Sequence, residues 1–288
     1  MILIADSGST KTEWNLIKDG IPQESLFTSG INPYFLSSEE IYQLLKHELY
    51  SYSAYHLRIV YFYGTGCNSE SKNNTIREAL KRFFCVEEIM IGTDLLGAAR
   101  SLCQTNEGIA CIMGTGSNSC YYNGSVIVNN VSPLGYILGD EGGGAVMGRK
   151  LISAVLKKQV PQNVIELFFG TYKISPSEIL ESVYMRPFPN RFLGQYARFI
   201  SQNIHIAELQ EIVTTSFEEF IIRNILQYPE SAVLPVHFTG SIAVHFKDYL
   251  EEALKKHNLR SGIFTASPMA NLIQYHLAHL NPELNERI

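Results

Sequence analysis

"ILIADSGSTKTEWNLI", residues 2–17, contains a change of pattern that most of the chain then follows. Four apolar residues end on an acid, Asp6. Small and polar residues follow up to Thr12, and from Glu13 the chain turns apolar again. Short apolar runs bounded by small polar residues predict buried strands, here at 2–5 and 13–17, with a tight polar loop between them. A backbone can approach a phosphate closely only where side chains are small, and Gly8, Ser9 and Thr10 offer amides and hydroxyls there. Lys11 adds a positive charge, and Asp6 at the strand end suits a Mg²⁺ ion held through water. The same residues also suit a plain polar hairpin whose acid satisfies local amides, because short motifs match by chance.

Working outward, Asp19-Gly20 is a two-residue hairpin turn leading to a third strand at 25–28. A helix is expected at 37–49, where Ser37 and Glu40 have capping-box spacing. A buried strand at 57–63, a helix at 74–84, a short strand at 88–91 and a helix at 93–103 complete a first half. The opening order then returns: a strand at 109–113, the glycine-rich turn "GTGSN" at 114–118, a strand at 119–122, the Asn123-Gly124 turn and a strand at 125–129. The repeat predicts a duplicated domain. Helices follow at about 142–158, 162–169, 176–184, 190–202 and 205–227. Next come a strand at 233–239, a helix after Gly240-Ser241, a strand at 261–265 and a last helix from about 268. With no low-complexity linker between the halves, two domains packed across a cleft are expected.

The 288 residues are 45% apolar and 18% charged, enough for sizeable cores and two domains. No apolar run is long enough to span a bilayer, and Asp6 comes too early for a signal peptide, so a cytoplasmic location away from membranes is expected. Cys67, Cys85, Cys103, Cys111 and Cys120 form no CxxC pair and read as reduced thiols. A net charge of −5 without a basic stripe argues against nucleic acid as a partner. Neither the G-x-x-x-x-G-K-[ST] loop nor G-x-G-x-x-G occurs: the sixth position is Ser69 counting from Gly64 and Ser119 counting from Gly114. "GTGCN" at 64–68 echoes the 114–118 turn but ends a strand elsewhere in the repeat, and is expected to be a turn at the edge of the cleft with Cys67 a plain thiol. His276 and His279 lack a third ligand nearby and are expected to pack rather than bind metal.

"DSGSTKT", "TDLLGAA", "GTGSN" and "LGDEGGG", in that order, resemble the N-acetylglucosamine kinase branch of the sugar kinase, actin and heat-shock chaperone ATPase superfamily. That branch also holds the ATPases that activate 2-hydroxyacyl-CoA dehydratases and benzoyl-CoA reductase. The likeness extends over nearly the whole chain, through "FTGSIA" and "ASPMANLIQ". It implies an α/β protein of two duplicated ribonuclease H-like (actin-like ATPase) domains, each a mixed sheet flanked by helices. The first would be 1–105, joined by a C-terminal helix at 269–288, and the second 106–268. It further implies ATP and Mg²⁺ as cofactors, a small amino sugar as substrate and a homodimer.

By the same resemblance, Asp6, Gly8, Ser9, Thr10, Lys11, Thr12 and Thr115 would hold phosphates and Mg²⁺. Gly240 and Ser241 would border the nucleotide, and Ala270 would lie by the adenine. Asp94, read from position alone as a first-turn acid capped by Thr93, would be the general base that takes the proton from the sugar hydroxyl. Asp140 would meet the sugar hydroxyls or the outer shell of the metal, with Asn32, Gly116, Ser117, Asn118 and Gly135 as further sugar contacts. One departure concerns the substrate: the amino-sugar kinases carry Gly-Trp-Gly ahead of GDEG, where this chain has Pro133-Leu134-Gly135. Its single tryptophan, Trp14, lies in the second strand and is expected in the core. An Ala270-Asn271 pair stands where a glycine is expected near the adenine. The rival readings are an ATPase coupled to a partner protein and a catalytically silent sugar sensor.

Overall fold

The structure, a computed structural model, describes residues 1–280. Its chain contacts form two compact units. The first holds 1–106, 124–126 and the segment from Ser267 onward, and the second holds 107–123 and 127–266. Residues 281–288 of the expected last helix lie outside the described residues.

The first unit runs β1 (Ile2–Ser7), β2 (Lys11–Lys18), β3 (Ile21–Pro22), β4 (Leu26–Ser29), α1 (Ser38–Glu48), β5 (His56–Gly64), α2 (Glu70–Phe83), β6 (Cys85–Thr93) and α3 (Asp94–Cys103). β1 pairs antiparallel with β2 and parallel with β5, and β5 is parallel to β6. The sheet order is β3-β2-β1-β5-β6, with β4 also on β2. Central β1 and β5 are apolar on both faces because both are covered. Trp14 is fully buried with Leu3, Leu16 and Phe62, and its indole N–H donates to Thr28 at 3.0 Å. Ser37 and Glu40 form the expected capping box. Helix α2 starts at Glu70, capped by Ser69, ahead of the expected 74, because "ESKNNT" is all polar and shows no apolar period before Ile76.

The second unit contains β7 (Glu107–Met113), β8 (Ser117–Asn123), β9 (Ile127–Asn129), α4 (Gly135–Leu138), α5 (Gly144–Leu156), α6 (Gln162–Tyr172), α7 (Pro176–Tyr184), α8 (Pro189–Gly194), α9 (Ala197–Gln202), α10 (Ala207–Arg223), β10 (Pro235–Thr239), α11 (Ser241–His245), α12 (Lys247–Lys256) and β11 (Arg260–Thr265). Its sheet order is β11-β10-β7-β8-β9. β7 is antiparallel to β8 and parallel to β10, as β1 is to β2 and β5. Both sheets therefore place their first strand between an antiparallel second strand and a later parallel one, β5 in the first and β10 in the second. This is the duplicated α/β architecture of actin-like ATPases.

Several helix boundaries differ from the sequence pattern. The helix expected at 190–202 breaks between α8 and α9, where Tyr196 is buried with its ring 5.3 Å from Phe168 and 4.7 Å from Tyr172. The one expected at 205–227 ends at Arg223, and a 3-10 turn at Ile225–Gln227 follows. The single helix expected after Gly240 is two, α11 and α12.

The last helix, α13 (Met269–Leu280), belongs to the first unit. Met269, Leu272 and Ile273 pack on Ile4, Ile17 and Tyr63. Ser101 donates to the Pro268 carbonyl at 2.9 Å and Gln104 to that of Asn271 at 3.0 Å. His276 lies 3.0 Å from the Tyr63 hydroxyl and stacks on Tyr61. Burial, with Arg100 and His279 adding to it, pulls its pKa down to about 3, so it is a neutral packing group. Among the described residues no helix is long and apolar enough to cross a membrane.

Candidate active site

In the first unit the carboxyl-terminal ends of β1, β5 and β6 carry Asp6, Thr65 and Asp94. The sheet register aligns them: Ser7 pairs with Gly64, and Gly64 pairs with Thr93. Parallel strands end together, so chemistry gathers at their carboxyl ends. Asp94 opens α3 behind the cap Thr93, whose hydroxyl accepts from Leu96 N–H at 3.1 Å. One Asp94 oxygen accepts from Leu95 N–H at 2.9 Å, and the other accepts from the Thr65 hydroxyl at 2.6 Å. Burial lifts the Asp94 pKa above the ordinary carboxylate range, while those donors and its own N–H hold it down. Asp6 is pushed up to about 7, first by burial, then by Asp94 and Glu13, with Lys11 pulling the other way. Two carboxylates this close in field favour a cation or a shared proton.

The loop after β1 is tightly fastened. Gly8 N–H donates to the Lys11 carbonyl at 3.0 Å, closing the turn. A Cβ on Gly30 would lie 2.5 Å from the Gly8 carbonyl oxygen, so only glycine admits this contact. Ser7 is fully buried; its hydroxyl bonds Thr12 at 2.7 Å, and it also donates to the Ile31 carbonyl at 3.0 Å. Thr12 is buried too and donates to the Ser29 carbonyl, which places its hydroxyl under the loop rather than at its open tip. Thr10 and Lys11 are exposed, and Lys11 reaches over the Phe27 ring at 4.8 Å. The Asn32 side-chain oxygen Oδ1 accepts from Tyr34 N–H at 2.9 Å.

In the second unit the turn after β7 meets the loop before α5. Gly144 N–H donates to Gly114 and Ala145 N–H to Thr115, at 2.9 and 2.8 Å. Gly116 faces Asp140, since a Cβ there would lie 2.7 Å from its carboxylate. Ser117 N–H points at Asp140 at 3.4 Å, and the Ser117 hydroxyl donates to the Glu141 carbonyl at 2.7 Å. Burial pushes Asp140 up to about 6, with the Ser117 N–H opposing and Glu141 assisting. Asn118 accepts from Asn130 at 3.0 Å and from Ser119 N–H at 2.9 Å. Gly135 is exposed at φ 75°, beside Leu134 at φ 59°. Gly240, at φ 116°, lies against Met113, whose carbonyl oxygen would be 2.2 Å from a Cβ. Ser241 starts α11, a helix of five residues. Ala270 is exposed near the start of α13, in the first unit.

Two contributors escaped the sequence reading. Thr65 lies within "GTGCN", a stretch taken there for a turn at the cleft edge with no role of its own, and the echo of "GTGSN" was the available signal. Ser7 was passed over between Asp6 and Gly8, although its place one residue after the acid on an alternating strand predicts an inward side chain.

The donor set suits Mg²⁺, which takes one or two carboxylates and leaves its other positions to water and phosphate. Asp6 is a half-buried acid with more negative than positive neighbours, an environment that a divalent cation relieves. Among the described residues, no group of three or more His, Cys, Asp or Glu side chains is placed to hold a metal by protein ligands alone.

No family model matches the sequence, and no curated protein does. Solved structures do. A chain from Porphyromonas gingivalis described as a "Putative N-acetylglucosamine Kinase" is 46% identical, with a TM-score of 0.94 covering 97% of this chain and 100% of that one. One from Chromobacterium violaceum with the same description is 14% identical, with a TM-score of 0.75 over 95% of this chain and 98% of that one. A "putative sugar kinase" from Cytophaga hutchinsonii is 17% identical, with a TM-score of 0.52 over 97% and 99%. The two distant matches speak for the fold, whereas the first also carries the family. The chain therefore belongs to the N-acetylglucosamine kinase branch of the sugar kinase and actin-like ATPase superfamily.

Proposed function

We propose that the protein transfers the γ-phosphoryl group of ATP to a hydroxyl of an amino sugar, with N-acetylglucosamine giving N-acetylglucosamine 6-phosphate as the first choice. The observation that carries this reading is Asp94: a half-buried carboxylate, raised in pKa, oriented by two donors and paired in field with Asp6. A group of this kind can accept the proton of an attacking hydroxyl as its oxygen bonds to phosphorus and ADP departs. Mg²⁺, when bound, would neutralise charge on the phosphates, with Asp6 holding it through water and Asp140 in its outer shell. The amides and hydroxyls of residues 8–10, Lys11 and Thr115 would orient phosphate oxygens, with Thr12 supporting the loop. Gly240, Ser241 and Ala270 would border the nucleoside. Asn32, Gly116, Ser117, Asn118, Gly135 and Asp140 would contact the sugar.

Leu134 stands where related amino-sugar kinases carry tryptophan, and it is exposed, so no aromatic wall is offered at that position. Hydroxyl recognition would then weigh more in the choice of sugar. The partner-coupled ATPase reading gains little from the cysteines: Cys67, Cys103, Cys111 and Cys120 are buried, and Cys85 is the single exposed thiol, short of a pair for a cluster shared with another chain. The test is ATP consumption with N-acetylglucosamine, glucosamine, N-acetylmuramic acid, N-acetylmannosamine, glucose or no sugar. Stimulation by one amino sugar, with its phosphate ester seen by mass spectrometry, is the expected result. Hydrolysis indifferent to sugar would overturn the reading in favour of a partner-coupled ATPase.

A further inference from the structure

Residues 64–68 do more than reverse the chain. Thr65 is the first residue beyond β5, between the ends of the two strands that lead to Asp6 and Asp94. Its backbone N–H donates to the Ser7 carbonyl at 2.9 Å, which fixes its position through the main chain alone. Its side chain is then free for another task, and the hydroxyl donates to Asp94 at 2.6 Å. The next residue, Gly66, turns at φ 85°, and a Cβ there would lie 2.6 Å from the Asn32 side-chain oxygen and 3.0 Å from the Tyr34 ring. Tyr34 in turn donates to Asn68 at 3.0 Å, and Lys72 sits 4.5 Å over the Tyr34 ring. One five-residue loop thus touches both the proposed base and the segment carrying a proposed sugar contact.

We propose that Thr65 is a positioning residue for acceptor activation: its hydroxyl holds the Asp94 carboxylate in the orientation from which it receives the sugar proton. This rests on the reading of Asp94 as the base. A carboxylate tethered only by Leu95 N–H, on its own helix, can swing about its side-chain torsions. The Thr65 bond, from a different strand, removes that freedom. Hydrogen bonds to an ionised acceptor are among the stronger ones, and small misplacements of a reacting group cost about 10- to 100-fold in rate.

Thr65→Val keeps the shape and removes the donor, whereas Thr65→Ser keeps the donor and removes a methyl group. A packing role would favour valine; a positioning role favours serine. The experiment is steady-state kinetics with ATP, Mg²⁺ and N-acetylglucosamine on the full chain, alongside melting curves and Asp94→Asn. The expected result is a kcat lower by about 10- to 100-fold in Thr65→Val, an unchanged KM for ATP, and most of the rate restored in Thr65→Ser. If valine disturbs folding, Thr65→Ala takes its place in the same comparison. A kcat near that of the unaltered protein in the donor-less variant, or a serine variant as slow as it, overturns the inference alone when Asp94→Asn is inactive. Full turnover in Asp94→Asn overturns the base assignment and this inference together. No sugar-dependent turnover in the unaltered protein overturns both as well.

Discussion

The two loops that follow the first strand of each sheet share a topology and differ in chemistry. In the first unit, β1 and β2 close on the pair Ser7 and Thr12, and the pair before it is Asp6 and Glu13. In the second, β7 and β8 close on Met113 and Ser117, preceded by Ile112 and Asn118. An acidic pair in one half is an apolar and an amide residue in the other. The acid beside the second loop, Asp140, arrives instead from the segment before α5 and meets the loop through Gly116. The two halves share the strand–turn–strand backbone, and the strand-end carboxylates Asp6 and Glu13 have no counterpart at Ile112 and Asn118. In the first loop Gly30 presses on the Gly8 backbone, whereas in the second, beside the backbone bonds from Gly144 and Ala145, Gly116 faces the Asp140 side chain, which can rotate.

The largest test of this asymmetry is Asp94→Asn. It should lower sugar-dependent phosphoryl transfer by about 10²- to 10⁴-fold while ATP affinity, read by calorimetry, stays within about twofold. Asp140→Asn, in the other half, should act mainly on the KM for sugar. Equal losses of kcat from the two variants would erase the division of labour. Next in size is a pair of glycine substitutions. Gly30→Ala drives a Cβ into backbone and should cost about 1–3 kcal/mol of stability, with ATP binding weakened. Gly116→Ala presses only on the Asp140 carboxylate, which can turn aside, so it should leave the melting temperature nearly unchanged and weaken sugar binding. Reversed melting behaviour would show that the two braces have been misjudged.

The last expected effect is one of pH. Asp6 rises from an ordinary value of 3.8 to about 7 in the folded state, so between those values the folded protein binds more protons than the unfolded chain. Its contribution to stability therefore falls as pH rises through that window and is constant above it. Without ligand, Asp6→Asn should melt higher than the unaltered protein by a margin that widens up to about pH 7, on the order of a few degrees. A margin independent of pH would mean that Asp6 is not perturbed.

Much of the architecture was legible because its signals are local. Asp19-Gly20 and Asn123-Gly124 mark hairpins, Ser37 and Glu40 announce a helix, and the repeat of strand, small loop, strand predicted two similar sheets. Asp94 came from the resemblance, since by position alone an acid in a first helical turn behind a threonine cap reads as an ordinary capping residue. Thr65 was hidden because its meaning depends on β5 lying between β1 and β6, which no spacing along the chain states. The inward turn of Thr12 was lost for a similar reason: it depends on Ser7 and Ser29 across the sheet. Breaks such as that between α8 and α9 were unreadable because the apolar period continues through Tyr196, and burial of its ring in an aromatic cluster goes with the change of direction.

The helix α13 also bears on how the chain is made. Residues 1–106 leave the ribosome first, yet Ile4, Ile17 and Tyr63 receive their cover only when Met269, Leu272 and Ile273 emerge. Domains tend to fold as units during synthesis. Here the second unit has all its strands by Thr265, before the helix that caps the first unit exists. For most of translation the first sheet carries an uncovered greasy face, a place where a chaperone could bind a nascent chain and where a prematurely terminated product would aggregate.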